Sequence, residues 1–213
     1  GGGGLEGGEI GALDVEISGS GSKFTLAAEG EGEIGVEIGV PGKHMVSNAL
    51  LAAAVGLHFG LSLDQIARGL ASAELTGGRL QARQIGGVNF VDDSYNANPD
   101  SMRAAVQTLI GMPCEGRRFA ILGGMGELGE IAAEEHRKLG VETLAAGIDV
   151  LISVGELGAG ITGELAADGV QHFEKPGECA AFLKAHAKPG DLVLVKGSRS
   201  AAMEQVLAEF EQL

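Results

Sequence analysis

Two short runs near the start of the chain alternate apolar and polar residues. They are Leu13–Ile17 and Ile34–Ile38, and the shorter apolar run Phe24–Leu26 lies between them. A period of two is typical of half-buried β-strands. Gly19-Ser20-Gly21-Ser22 provides a turn signal between the first two runs. The pattern therefore predicts a set of antiparallel strands, and residues 1–8 are predicted to be a glycine-rich linker.

Beyond residue 42 the pattern changes to that of helices. Lys43–Phe59 is predicted to be a helix, and its run Asn48–Val55 is apolar nearly all round, which predicts that the helix is buried on several sides. Leu63–Ala71 is predicted to be a second helix. Ser62 precedes it and Gln65 follows three residues later, which is the pattern of a capping box.

From residue 79 onward, apolar runs alternate strictly with helical patterns, and Thr76–Arg79 is predicted to be the junction between two domains, 1–78 and 79–213. Buried strands separated by helices predict a parallel sheet that is covered on both faces. With right-handed crossovers this is an α/β fold, a Rossmann-like, doubly wound and mostly parallel sheet. The predicted elements are, in order, Val88–Val91, a helix at Pro99–Leu109, Phe119–Leu122, a helix at Ala132–Ala146, Val150–Val154, a helix at Ala159–Ala167, Gln171–Phe173, a helix at Glu178–Ala187, Leu192–Val195 and a helix at Ala201–Phe210.

Composition narrows the class of protein. The 213 residues carry a net charge of -14, which argues against nucleic acid as a partner, because nucleic-acid binding needs basic patches. No apolar stretch approaches the roughly 18–20 residues of a membrane helix, and the opening residues show no signal-peptide pattern. Cys114 and Cys179 lack metal-ligand spacing and are expected to be reduced thiols. We therefore expect a cytoplasmic protein without membrane insertion.

Candidate chemistry lies directly after the predicted strands, because doubly wound sheets bind ligands beyond the carboxyl ends of their strands. The segment Asp92–Met102 offers two carboxylates, a hydroxyl, a phenol and two amides before a helix starts at Pro99. A capped helix alone would explain only Asn98-Pro99-Asp100. The remaining polar residues favour a binding loop, in which an Asp is suited to hold ribose hydroxyls.

Asp92–Met102 resembles the signature loop of the MurF-type Mur ligases. Further segments resemble that family in the same order along the chain. Gly42–Leu50 resembles the segment that closes over adenine, and Gly78-Arg79-Leu80 the junction whose arginine reaches the nucleotide phosphates. Leu122–Gly129 resembles the loop after the second strand of the last domain, and Val195–Arg199 its final strand-to-helix turn. The resemblance covers about residues 10–210, and it implies that residues 1–78 are the carboxy-terminal part of a central ATP-binding domain.

The resemblance also implies a reaction. ATP would phosphorylate the terminal carboxylate of UDP-MurNAc-tripeptide, and the amine of D-Ala-D-Ala would then attack the acyl phosphate. Mg²⁺ would bridge phosphate oxygens, with most of its ligands outside this sequence. No Gly-x-x-x-x-Gly-Lys-Ser/Thr phosphate loop occurs in the 213 residues. We therefore expect the chain to be the carboxy-terminal part of a longer, monomeric ligase and to be inactive alone.

Roles are carried over by position. Asn48 would contact adenine, Asp93 ribose and Arg79 the phosphates. Asn48 could instead be a satisfied polar group on a buried helix, and Arg79 an ordinary surface residue. The residues expected to bind substrate are Ser94, Tyr95, Asn96, Asn98, Lys196 and Ser198, and those expected to act in catalysis are Lys196 and Arg79.

Lys196 has two interpretations that the sequence does not separate. It would bind the dipeptide carboxylate or the developing charge, or it would pair structurally with the acids at the strand ends. Arg103 and the pair Glu134-Glu135 are expected to be solvated.

Three residues depart from the family pattern. Met45 replaces a frequent Asn, Gly124 a usual Asp, and Gly126 a larger residue. Alternative functions are another Mur ligase or a folylpolyglutamate synthetase-like ligase, a non-catalytic binding module, and an NAD-dependent oxidoreductase. The last lacks support, because Asp92-Asp93-Ser94 stands where Gly-x-Gly-x-x-Gly would follow the first strand.

Overall fold

The computed structural model describes residues 10–18, 21–73 and 78–213, which form two compact units divided between residues 75 and 76. The sequence places the domain boundary three residues later, between 78 and 79. The linker predicted over residues 1–8, and Gly19 and Ser20 of the predicted turn, lie outside the described residues.

The first unit contains a three-stranded antiparallel sheet and two helices. Its elements are β1 (Ile10–Ser18), β2 (Gly21–Ala28), β3 (Gly32–Ile38), α1 (Lys43–His58) and α2 (Leu63–Ala71). The strands lie in the order β1-β2-β3. The predicted capping box starts α2, since the Gln65 N–H donates to Ser62 Oγ at 3.3 Å and the Ser62 N–H to Gln65 Oε1 at 2.9 Å.

The prediction that α1 is buried on several sides is wrong. Its buried residues Val46, Ala49 and Ala53 pack with the sheet and with Ile66 of α2. On another face Leu51 is 68% exposed and Val55 57% exposed. Apolar residues all round a helix predict burial only where neighbours cover every face, and in this unit the described elements cover one.

The second unit is built on a six-stranded sheet. The strands are β4 (Gln81–Ile85), β5 (Val88–Asp93), β6 (Arg118–Gly123), β7 (Val150–Val154), β8 (Val170–Phe173) and β9 (Leu192–Lys196). They lie in the order β4-β5-β9-β6-β7-β8. All neighbours pair in parallel except β4, which runs antiparallel to β5 at one edge.

Helices cover both faces of this sheet. They are α3 (Pro99–Gly111), α4 (Ala132–Ala145), α5 (Ala159–Thr162), α6 (Pro176–His186) and α7 (Glu204–Gln212). Helices α6 and α7 pack together and share a core with the fully buried Phe90, Phe119 and Ile121. Helices α3, α4 and α5 contact the sheet through β6, β7 and β9. The predicted class, a doubly wound and mostly parallel α/β sheet, is confirmed.

Four elements differ from the sequence prediction. Strand β4 was missed, because its central residues are polar and exposed as on an edge strand. Helix α5 ends at Thr162 instead of Ala167, in a segment rich in glycine, which disfavours helix. Helix α6 starts earlier, at Pro176, since proline suits the first helical turn. Helix α7 starts only at Glu204, because Ala202 adopts a left-handed φ of 47° after a 3₁₀ turn.

Gly140 and Gly111 provide a matched test of packing in the second unit. A Cβ on Gly140 of α4 would overlap the carbonyl oxygen of Ile161, whereas a Cβ on Gly111, the last residue of α3, would meet nothing within 4 Å. We expect Gly140→Ala to lower the free energy of unfolding by about 3 kcal/mol, because the backbones must move apart. Gly111→Ala should leave it unchanged or raise it by about 0.5 kcal/mol. Urea unfolding measures both, and an equal effect of the two substitutions would contradict the packing described.

Candidate active site

A buried ion pair joins the ends of two central strands. Asp93, the last residue of β5, lies beside Lys196, the last residue of β9, in the parallel register. The Lys196 ammonium lies 2.7 Å from Asp93 Oδ2 and donates a hydrogen bond to the backbone oxygen of Asn96 at 2.8 Å. Lys196 is only 2% exposed. The structure therefore brings three of the predicted site residues together, and it shows Lys196 paired with a strand-end acid.

The adjacent Asp92 organises the start of the loop. Its Oδ1 accepts hydrogen bonds from the Ser94 hydroxyl at 2.6 Å and from the Ser94 N–H at 3.2 Å. Its Oδ2 lies 3.5 Å from the Arg83 guanidinium on β4. Ser94, predicted to contact substrate, is itself 2% exposed and directs its hydroxyl to Asp92. Ser94 thus shapes the loop in this structure.

Arg79 and Tyr95 are held against each other at the start of the second unit. The Arg79 guanidinium lies over the Tyr95 ring, 4.6 Å from its centroid, a cation–π contact. The Tyr95 N–H donates to the Gly78 carbonyl at 2.9 Å. Gly78 has a φ of 74°, and a Cβ there would lie 3.0 Å from both the Ser94 hydroxyl and the Tyr95 nitrogen. Glycine at 78 therefore permits the approach, and both Arg79 and Tyr95 are exposed.

The side-chain oxygens of the two asparagines of the loop accept hydrogen bonds from backbone N–H groups of nearby residues. Asn98 Oδ1 accepts from the Ser101 N–H at 2.8 Å and caps α3, as its position before Pro99 indicates. Asn96 Oδ1 accepts from the Ala97 N–H at 2.9 Å. Both residues are exposed, so each can offer its amide N–H groups to a ligand.

An open cleft of about 830 Å³ lies between the loops that follow β5, β6 and β9, and Asn96, whose backbone oxygen Lys196 holds, is one of the residues that line it. Four of the predicted substrate-binding residues line it, together with three further polar side chains for which the sequence alone led to no assigned role, those of Glu127, Arg199 and Ser200. These residues come shortly after predicted strands, and that position alone could have marked them as candidates. They were not chosen, because the selection relied on residue type. The cleft is lined by Tyr95, Asn96, Ala97, Asn98, Gly126, Glu127, Leu128, Ser198, Arg199 and Ser200.

The loop after β6 is fixed by close packing and by one histidine. A Cβ on Gly124 would overlap the side chain of Leu157, so this structure has no room for the Asp that the family pattern suggests. Gly126 faces the cleft, and a Cβ there would meet Ser198 only at 3.9 Å. The buried His136 accepts the Met125 N–H at Nε2 at 2.8 Å, and its Nδ1 lies 2.7 Å from the Ala132 carbonyl. Because a carbonyl can only accept, His136 is the neutral Nδ1–H tautomer.

Asn48 lies in the first unit, on α1. It is exposed, and the hydrogen bond recorded for its amide nitrogen is a 3.8 Å contact with the sulfur of Met45. The alternative of a buried, satisfied polar group is therefore wrong.

Arg103 and Glu135 are not simply solvated, which corrects the sequence expectation. Arg103 on α3 donates to Glu135 and to Glu142 of α4, each at 2.7 Å, and the hydrogen bond to Glu135 is the main reason that its pKa is raised. The Arg103 side chain is 32% exposed and that of Glu135 17%. Glu134 pairs with Arg137 on the exposed side, as expected. Arg103 therefore joins two helices.

Neither a metal centre nor a reactive thiol stands out in the described parts of the chain. Within them no group of three His, Cys, Asp or Glu side chains is placed to hold a metal ion. Asp93 already faces Lys196, so these residues do not fit Mg²⁺ by themselves. Burial raises the pKa of Cys179 to about 12, which leaves it a thiol at neutral pH. In the same described residues, no helix has the length and apolar character that crossing a bilayer requires.

Residues 78–199 match the family described as "Mur ligase, glutamate ligase domain", more than half of the chain, so the protein belongs to the Mur ligases. It is 39% identical over 205 residues to the UDP-N-acetylmuramoyl-tripeptide–D-alanyl-D-alanine ligase of Escherichia coli K12, covering 94% of this chain and 44% of that protein. Its structure matches MurF from Acinetobacter baumannii at 32% identity with a TM-score of 0.86, covering 97% of this chain and 46% of the other. It also matches MurF ligase from Thermotoga maritima in complex with ADP, at 28% identity and a TM-score of 0.83, covering 97% and 47%. The resemblance seen in the sequence is confirmed, and the chain spans less than half the length of these relatives.

We expect Lys196→Met to destabilise the second unit by about 3 kcal/mol, because it leaves the Asp93 carboxylate without its cation in a mostly buried place. Asp93→Asn combined with Lys196→Met should recover part of that loss. A double-mutant cycle by urea unfolding measures the coupling between the two side chains. Additive effects of the two substitutions would mean that the ion pair does not tie the strand ends.

His136→Leu should cost about 2 kcal/mol, since it leaves the buried Met125 N–H without an acceptor. It should also shift the amide resonances of residues 124–128 in heteronuclear NMR spectra. Arg137→Leu, one position further on the exposed side of α4, is the matched control and should change neither the stability nor those resonances. Unchanged resonances in His136→Leu would show that the loop is held by other contacts.

Proposed function

We propose that this chain contributes the amine-binding cleft and part of the nucleotide site of an ATP-dependent ligase, which joins D-Ala-D-Ala to UDP-MurNAc-tripeptide for peptidoglycan synthesis. The observation that carries the proposal is the open cleft between the loops that follow β5, β6 and β9, at the carboxyl edge of the sheet, lined by the Asn96 whose backbone Lys196 holds. Doubly wound sheets bind their ligands at this edge. The named relatives, which share this fold and are at least 28% identical to the chain over the aligned residues, support the choice of substrates.

For the nucleotide, Asn48 would hold adenine, Asp93 a ribose hydroxyl and Arg79 the phosphates. Asn48 and Arg79 are exposed, as ligand contacts require. The cation–π contact with Tyr95 restricts the Arg79 guanidinium without neutralising its charge, so it can still meet an anion. ADP bound to the Thermotoga maritima relative supports a nucleotide as ligand.

The chemistry would proceed in two steps. A carboxylate oxygen of the tripeptide attacks the γ-phosphorus of ATP and displaces ADP, which gives an acyl phosphate. The deprotonated amine of D-Ala-D-Ala then attacks the acyl carbon, inorganic phosphate leaves, and an amide bond remains. Positioning of the two reactants supplies much of the rate enhancement in such reactions. Mg²⁺ bound outside the described residues would neutralise phosphate charge.

Within this scheme the chain's own residues hold the amine substrate. Asn96, Asn98 and Ser198 line the cleft, where amide and hydroxyl groups would bind the peptide unit of D-Ala-D-Ala. Lys196 would act on catalysis by holding the backbone of Asn96, and with it the loop that meets the substrate, in place. These roles accord with a monomeric enzyme of the cytoplasm, because a UDP-linked precursor and ATP would meet in that compartment.

The proposal is tested with a longer protein that also contains the residues encoded immediately upstream of this sequence. That protein should release phosphate from ATP only when both UDP-MurNAc-tripeptide and D-Ala-D-Ala are present, and mass spectrometry should detect the amide product. The 213-residue chain alone should form no product, because its sequence lacks a phosphate-loop motif. Product formed by the 213-residue chain alone, or none formed by the longer protein, would overturn the proposal.

A further inference from the structure

The cleft contains a cation other than Lys196. Arg199 lines the cleft, and its side chain is 72% exposed, whereas that of Lys196 is 3% exposed. The ion pair recorded for Arg199 joins its Nη1 to Glu204 Oε1 at 3.5 Å. Such an exposed pair contributes little and is readily exchanged for another anion. Arg199 can therefore turn towards a ligand at small cost.

Lys196 is in the opposite situation. Its ammonium is already occupied by the Asp93 carboxylate and the Asn96 carbonyl. A ligand carboxylate at Lys196 would bring a second negative charge beside Asp93 in a mostly buried place, where like charges repel strongly. It would have to displace one of the two groups that hold the strand end and the loop together. The buried ammonium is thus a poor site for a ligand carboxylate.

We propose that Arg199, and not Lys196, binds the carboxylate of the amine substrate in this cleft; the inference rests on the proposed function, because it assigns one end of the same dipeptide. The guanidinium has a planar pair of N–H donors that matches both oxygens of a carboxylate, and a lysine ammonium lacks this fork. The backbone at Arg199 is held in a defined conformation. The Ser198 N–H donates to the Gly124 carbonyl at 3.0 Å, and Arg199 opens the 3₁₀ turn that follows.

The charges of the cleft fit a zwitterion. Of its ten lining residues, Arg199 and Glu127 are the two that carry charge, and they come from different loops. Glu127 is exposed and is held at a left-handed φ of 61°, a conformation uncommon for a side chain of its kind. A free short peptide carries one charge of each sign at its two ends. The cleft therefore offers one complementary charge to each end, with the carboxylate assigned to Arg199.

The test compares two probes on the 213-residue chain by isothermal calorimetry or by NMR titration. The probes are D-Ala-D-Ala and D-alanyl-D-alaninamide, which lacks the carboxylate charge. The unsubstituted chain should bind D-Ala-D-Ala about 10-fold more tightly than the amide, as expected for one charge-assisted contact. Arg199→Gln should lose that preference and bind both probes as weakly as the unsubstituted chain binds the amide. Arg199→Lys should keep part of the preference, since it retains the charge without the fork.

Arg137→Gln is the matched control, because Arg137 is also an exposed, ion-paired arginine and is not among the residues that line the cleft. It should leave both affinities unchanged. Equal affinity of the unsubstituted chain for the two probes, or a preference that survives Arg199→Gln, overturns the inference. So does the absence of any binding of D-Ala-D-Ala, since the assigned contact lies wholly within this chain. Ligation is measured separately on the longer protein, so a wrong carboxylate assignment is distinguishable from a failed ligase proposal, whereas absence of any binding counts against both.

Discussion

The second unit depends on one constraint, the burial of an ammonium and a carboxylate where two parallel strands end. Asp93 and Lys196 are register partners on β5 and β9, so their side chains leave the sheet side by side. Burying either charge alone would be very unfavourable, and each residue is tolerated because the other is 2.7 Å away. A second N–H of the lysine then fixes the Asn96 carbonyl and with it the loop before α3. The conformation of the loop thus depends on the need of the buried Lys196 ammonium for oxygen acceptors.

The cleft follows from this arrangement. Three loops leave the sheet from β5, β6 and β9, and small residues let them pack closely beneath the opening. A Cβ on Gly123 would lie 2.8 Å from that of Ala201, and one on Gly124 would overlap Leu157. The Ser198–Gly124 hydrogen bond ties the loop of β9 to that of β6, as Lys196 ties β9 to β5. The end of β9 and the turn after it therefore bond to both neighbouring loops, and residues 198–200 of that turn line the cleft beside them.

Much of this arrangement could be predicted from the sequence. The central strands are continuous apolar runs, and the rule that ligands bind beyond strand ends picked out the segment that contains Asp93 and Asn96. The family resemblance was needed to assign roles to these residues and to Lys196. Strand β4 could not be found that way, because none of its five residues is buried and so no apolar pattern marks it. On α1 the error was in the opposite direction, because an apolar pattern predicted burial on a face that is exposed. The sequence of a helix does not reveal which neighbours cover it. The division of roles between Lys196 and Arg199 was also out of reach, because it depends on burial, and two cations three residues apart look equivalent in a sequence.

Their chemistry explains why the two positions differ. A lysine can bury its aliphatic stem among apolar strands and present a compact ammonium with three donors to oxygens in different directions. That geometry suits Asp93 and the Asn96 carbonyl at the end of β9. An arginine there would have to orient a planar fork within a space that holds one carboxylate and one peptide oxygen. At position 199 the surroundings are different, because the side chain lies largely in solvent, where a planar fork is free to meet the carboxylate proposed for it. The strand end therefore takes the cation that organises the protein, and the following turn takes the cation that can meet a ligand.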